Sequence, residues 1–215
     1  MDIRPLVDTD VDACIIMSAS QWFDYDTCVS DAERQLMYNL ASVDFFHLLR
    51  FATAAYVAYE NEKIYGCVMS TIHKVDENAY IWKKQAEGEL LRLEKKFTAP
   101  LCADKQLQQA YRQCCISIEE NVSFSSDARS ATQGEILLFL VDKQVRGKGV
   151  GGALWEKNHE YFSSHDMENY FLYTDTTCDF SFYDAKGLTR AKEEKNVRDS
   201  YGKVCDKYIY IGTVV

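Results

Sequence analysis

The stretch Glu135–Gly152 reads E-I-L-L-F-L-V-D-K-Q-V-R-G-K-G-V-G-G and constrains this chain more than any other. Ile136 to Val141 form a continuous apolar run, which suits a strand buried on both faces. A short charged turn follows, then four glycines within six positions (Gly147, Gly149, Gly151, Gly152), then a helical pattern. Glycines lack a Cβ, so such a backbone can approach an anion and turn its N–H groups toward it. A helix starting there, at Val150, adds unpaired N–H groups and the positive end of its dipole. Arg146 and Lys148 add positive charge. Strand, glycine bend and helix together predict a phosphate site, most simply for a diphosphate.

The spacing of Gly147, Gly149 and Gly152 satisfies G-x-G-x-x-G, so a dinucleotide site must be weighed. That motif should follow its strand directly and early in the chain. Here Asp142 to Arg146 intervene, two-thirds of the way along. No Walker sequence is present, because Lys148 is not followed by Ser or Thr. The stretch instead resembles motif A of the GCN5-related N-acetyltransferases (GNAT), Q/R-x-x-G-x-G/A. Arg146, Gly149 and Gly151 fill it, and Gln144-Val145-Arg146-Gly147 is similar to the Q-V-R-G run of the histone-acetylating branch. The resemblance implies that the bend from Arg146 to Gly152 binds the diphosphate of acetyl-CoA. It also implies that main-chain groups of Leu140 and Val141 face the pantetheine and the thioester.

The chain has 215 residues, 47% of them hydrophobic, enough for one domain with a full core. A formal net charge of −9 argues against nucleic acid and is compatible with a cationic amine acceptor, although acidic soluble proteins are common. Eight cysteines, no CxxC pair and no signal peptide point to a reducing, cytoplasmic setting and to no metal. No apolar run of about 18 residues exists to span a membrane.

Along the chain, Ile3–Leu6 reads as a strand. Asp8 or Thr9 caps a helix from about Asp10 to Ser20. Trp22-Phe23-Asp24-Tyr25-Asp26 is an aromatic, acidic loop, which the resemblance sets beside the acceptor. Ser30-x-x-Glu33 is a capping box opening a helical region that runs to Arg50 with one break. Ala54–Tyr59 and Ile64–Ser70 form a hairpin across Glu60–Lys63. The order β-α-α-β-β is how the resembled domain begins. Between its third and fourth strands that domain has a short turn, whereas residues 76–134 intervene here. Ala79, Trp82, Ala86, Leu90, Leu93 and Phe97 share one helical face. Leu107, Ala110, Tyr111, Cys114, Cys115 and Ile118 share another. Thr98-Ala99-Pro100 separates them. These are a helical hairpin, followed by a polar, Ser-rich loop at 123–132. Its apolar stripes can pack on each other, on the domain or on a second copy as a homodimer.

After the glycine bend a helix runs to about His165, and Tyr170–Thr174 is a strand parallel to the first buried one. Phe180–Lys186 is a short helix closed by Gly187. Leu188–Glu194 and Lys207–Val214 are the last strands. The expected fold is a mixed α/β sheet of the acyl-CoA N-acyltransferase type, one domain over 1–215 with 76–134 inserted.

Acyl transfer from a thioester to an amine needs a base for the ammonium proton, stabilisation of the carbonyl oxygen and a proton for the leaving thiolate. Ser181-Phe182-Tyr183-Asp184-Ala185-Lys186-Gly187 resembles the family's F-Y-x-x-x-G segment, which implies that Tyr183 is the thiolate's proton donor. The rival reading is a packing tyrosine. Glu135–Val141 is similar, position by position, to the strand carrying the catalytic glutamate of the histone-acetylating branch. Glu135 is therefore a base candidate, or else a polar residue closing the Ser-rich loop. No histidine pairs with a nucleophile in sequence, and Cys178 reads as an inert thiol. Relatives have Asn where this chain has Asp179, a pantetheine contact, and G-F where it has Gly187-Leu188. The resemblance implies acetyl transfer from acetyl-CoA to a primary amine, small-molecule or peptide, by direct attack in a ternary complex. A non-catalytic acetyl-CoA-binding module, using the insertion as a partner surface, is the alternative.

Overall fold

The computed structural model describes residues 1–98, 105–199 and 202–214. Seven strands form one sheet in the order β1-β2-β3-β4-β5-β7-β6. They are β1 (Asp2–Pro5), β2 (Ala54–Glu60), β3 (Lys63–Ile72), β4 (Gly134–Val141), β5 (Asn169–Asp175), β6 (Thr189–Arg198) and β7 (Val204–Thr213). Every pairing is antiparallel except β4 with β5. The β2–β3 turn puts Asn61 and Glu62 at φ 50° and 63°, the two-residue hairpin geometry that matches strand twist.

Helices cover both faces. Helices α1 (Val11–Trp22) and α2 (Asp31–Leu49), with α3 (Lys83–Thr98) and α4 (Lys105–Phe124), lie on one. Helix α6 (Val150–Ser163) lies on the other, its Val150, Leu154 and Phe162 buried with Val68, Ile136 and Leu172. Central strands serve both cores. In β2, Ala55 and Val57 join the α2 side, while Tyr56 and Ala58 join the α6 side.

Several expectations are corrected. The capping box at Ser30 and Glu33 forms, but α2 runs unbroken, because residues 31–49 contain neither Gly nor Pro. Asp8 and Thr9 lie in a 3₁₀ turn and do not cap α1. The Asp10 carboxylate closes that turn, accepting from the Val7 amide at 3.0 Å and pairing with Arg4 at 2.6 Å, and α1 has no side-chain cap. The Ser-rich loop is in part a helix, α5 (Ser126–Ala131). Ala128 packs in a small cluster with Phe124 and Phe171, and Thr132 Oγ1 donates to the Ala128 carbonyl. That burial overrides the polar composition.

The stripes of α3 and α4 pack on the body of the protein. Trp82, Ala86, Leu93, Phe97 and Cys114 share the core of Leu40 and Phe46, and Phe97 stacks on Tyr111 at 5.0 Å. The expected break at Ala99-Pro100 lies outside the described residues. Among the described residues no helix is long and apolar enough to cross a membrane.

One irregularity of the sheet matters most. In the β3–β4 register Met69 faces Leu138 and Ser70 faces Ile136, so Leu137 has no partner. This is a β-bulge, which bends a strand and strengthens its twist. On the opposite edge, β4 pairs with β5 only at Glu135–Phe171 and Ile136–Leu172. The two strands part where the bulge begins.

Candidate active site

The parting of β4 and β5 opens a cavity of about 1070 Å³ through the middle of the molecule. Beyond Ile136, one edge of β4 has no strand beside it, although the site is walled by helices. Main-chain N–H and C=O groups in such a place need partners, and an extended ligand with amides of its own can supply them.

The glycine bend stands at the mouth of this opening. Residues 143–145 form a 3₁₀ turn, capped by Asp142, whose carboxylate accepts from the Gln144 amide at 2.8 Å. That turn accounts for the spacing between strand and glycine. Gly147 and Gly149 then adopt φ 76° and 85°, which residues with a Cβ rarely hold. Gly149 is the N-cap of α6. Among the described residues, the amides of Gly147, Gly149, Val150, Gly151 and Gly152 have no protein acceptor; the Lys148 amide does, the Val145 carbonyl at 3.1 Å. A Cβ on Gly147, Gly149 or Gly152 would meet nothing within 4 Å, so the backbone of the bend is open on its side-chain side. A Cβ on Gly151 would lie 3.6 Å from Phe182 and 3.8 Å from Val141. The bend therefore adjoins both the free end of β4 and the tyrosine helix.

Leu140, Val141, Arg146, Gly147, Gly149, Gly151, Gly152, Asp179, Tyr183 and Glu135 all line the one cavity. Lys148 and Val150 do not. Lys148 is exposed, and the Val150 side chain is buried in the α6 core, which leaves only its amide to the site. Arg146 donates to Gln21 Oε1 at 3.0 Å, tying the bend to α1. Asp179 accepts from Ser181 Oγ at 2.6 Å. Of the aromatic loop, Trp22, Phe23 and Asp24 line the cavity; Asp26 does not.

Tyr183 sits on α7 (Ser181–Ala185), buried between Phe139, Trp155 and Tyr210. Among the described residues its hydroxyl has no hydrogen-bond partner. Burial first, then the nearby Cys178 and Asp179, push the phenol well above its ordinary value. The proton stays on the oxygen at neutral pH. Cys178 is likewise pushed up by burial, which keeps it a thiol.

Glu135 is 6% exposed. Arg129, on α5, donates to its Oε2 from Nη2 at 2.8 Å and from Nε at 3.2 Å. Burial raises the Glu135 pKa and Arg129 opposes that rise.

Sequence reasoning missed the polar residues that α2 brings to the same cavity. Met37, Leu40, Asp44, His47, Leu48 and Phe51 line it at helical spacing. Asp44 is partly buried and has no ion pair or hydrogen bond with any described residue. Burial alone pushes its carboxyl up to about 6. His47 is pushed down to about 4, by burial and then by Arg50 and Arg129, and its Nδ1 accepts from Arg50 Nη2 at 2.8 Å. The available signal was an Asp and a His three residues apart on an otherwise apolar helical face.

No family model and no curated protein matches the chain. Solved structures do. The fold is similar to that of a GNAT-family protein from Desulfovibrio desulfuricans, at TM-score 0.51 and 12% identity over 100% of this chain and 99% of that one. It is similar to Ard1 from Thermoplasma volcanium, at TM-score 0.55 and 15% identity over 100% and 97%. It is also similar to an N-acetyltransferase from Staphylococcus aureus, at TM-score 0.51 and 13% identity over 100% and 98%. These likenesses establish the acyl-CoA N-acyltransferase fold, a mixed seven-stranded sheet that parts in its middle.

Proposed function

We propose that the protein is an N-acetyltransferase that moves the acetyl group of acetyl-CoA to a primary amine. One observation carries this: five main-chain amides without acceptors among the described residues stand at a cavity made by two parting parallel strands. A diphosphate takes the amides, assisted by the dipole of α6. The pantetheine arm then lies along the free edge of β4 near Leu140 and Val141, where its amides complete the interrupted ladder. That placement brings the thioester toward Tyr183.

Catalysis follows from the groups that meet there. The acceptor enters from the side walled by α2, α4 and α5. A base takes its ammonium proton, and Glu135 is the candidate inherited from the strand itself. The amine nitrogen attacks the thioester carbon, with a β4 amide beside the bulge stabilising the oxygen as charge develops on it. The C–N bond forms, the C–S bond breaks, and the thiolate takes a proton from Tyr183. Its hydroxyl, free of any hydrogen-bond partner among the described residues and lining the cavity, supports that role.

Isothermal titration with acetyl-CoA tests the first half. Binding with 1:1 stoichiometry is expected, and no heat at millimolar ligand refutes it. Release of free thiol on adding amines tests the second half. Binding without thiol release from any amine would leave a CoA-binding module in place of an enzyme.

A further inference from the structure

Two of the carboxylates that line the cavity, Glu135 on β4 and Asp44 on α2, differ in their situation. Glu135 is committed to Arg129 through two hydrogen bonds. Asp44 has no cation at all among the described residues. A carboxylate out of bulk water without a counter-charge is costly, and proteins retain such groups where a ligand supplies the charge. Asp44 lies on the cavity face of α2, one turn after Leu40 and one turn before His47 and Leu48. His47 senses Arg129, which in turn holds Glu135. Asp44 and Glu135 line the same cavity.

Its surroundings also limit the acceptor. Trp22, Phe23, Phe51 and Tyr80 give the cavity aromatic walls. A carboxylate without a counter-charge, in a cavity with aromatic walls, suits an ammonium on an apolar body.

Resting on the acetyl-transfer reading above, we propose that Asp44 holds the ammonium of the acceptor, and that the acceptor is a small amine with an apolar or aromatic body. At neutral pH a carboxyl with a pKa of about 6 is charged, as this role requires.

The test compares wild type with Asp44→Asn, using 2-phenylethylamine, spermidine and hydroxylamine as acceptors at about pH 7, where hydroxylamine is largely uncharged. Acetyl-CoA titration of both proteins is the control for folding and for the CoA site. We expect acetyl-CoA affinity to agree within about twofold. The KM for 2-phenylethylamine should rise roughly 10–100-fold, the worth of one charged hydrogen bond, while that for hydroxylamine stays put. Spermidine should be a poor acceptor for both. The inference is overturned if both KM values rise together, if neither moves, or if spermidine is preferred. It is also overturned if wild type binds acetyl-CoA but neither binds nor acetylates 2-phenylethylamine. Failure of wild type to bind acetyl-CoA is a different result, and it removes the acetyltransferase reading itself.

Discussion

At the scale of single residues, Tyr183 and Asp44 make opposite demands on the fold. The Tyr183 hydroxyl is held among rings without a hydrogen bond to any described residue, so removing it leaves none of them unpaired. Tyr183→Phe should therefore unfold at the same temperature as wild type, bind acetyl-CoA within about twofold, and lose roughly 100-fold in turnover. Stopped-flow or steady-state thiol release reads the last number; unchanged turnover removes the donor role. Asp44 should cost stability in the absence of ligand. Its folded-state pKa of about 6 lies above the ordinary 3.8, so the folded protein holds that proton more tightly than the unfolded chain. Stability falls as pH rises through this window and stays lower above it, by on the order of 2 kcal/mol. Asp44→Asn should be more stable than wild type at pH 7, with the difference gone near pH 3.5. Urea unfolding at the two pH values would show it, and equal stability at both would mean the carboxyl is well solvated. A site residue that weakens the fold holding it is a common compromise between stability and function.

At the scale of elements, the bend between β4 and α6 separates helix propensity from ligand fit. Gly152 lies in the first turn of α6, and a Cβ there would meet no protein atom within 4 Å. Gly152→Ala should raise the melting temperature, because Ala is favoured over Gly in a helix by about 1 kcal/mol. The same methyl projects toward the space assigned to the diphosphate, so acetyl-CoA should bind at least tenfold more weakly. Calorimetry measures both; a variant both more stable and equally tight would move the ligand away from this turn.

How far the sequence could be read also follows element by element. The bend and the tyrosine helix were legible because each is a local pattern in which spacing and glycine placement do the chemistry. The bulge at Leu137 was not, because an unbroken apolar run has no alternation for a bulge to interrupt. Helix α5 was hidden by its polar composition, its stability resting on Ala128 and on the Arg129–Glu135 pair across to β4. Asp44 carries no motif, and its meaning comes only from what it lacks in three dimensions.

At the scale of the whole molecule, α3 and α4 belong to the main core, since Leu93 and Phe97 share one cluster with Leu40, Phe45 and Leu138. Leu93 is fully buried. Leu93→Ala should cost about 2–5 kcal/mol in a single cooperative urea transition. A separate low-stability transition would instead mark the helical pair as an appendage. Helix α4 also supplies a wall of the cavity, through Ala110, Cys114 and Ser117, so the part of the chain that lengthens the fold also shapes that cavity.

The central claim is that unoccupied main-chain amides at the glycine bend grip the diphosphate of coenzyme A. The most direct measurement is the amide nitrogen–proton spectrum of isotope-labelled protein during titration with acetyl-CoA. The amide resonances of Gly147, Gly149, Val150, Gly151 and Gly152 should show the largest downfield proton shifts, while Lys148, already bonded to Val145, moves less. Saturable binding that leaves those five amides unmoved and shifts others would contradict it.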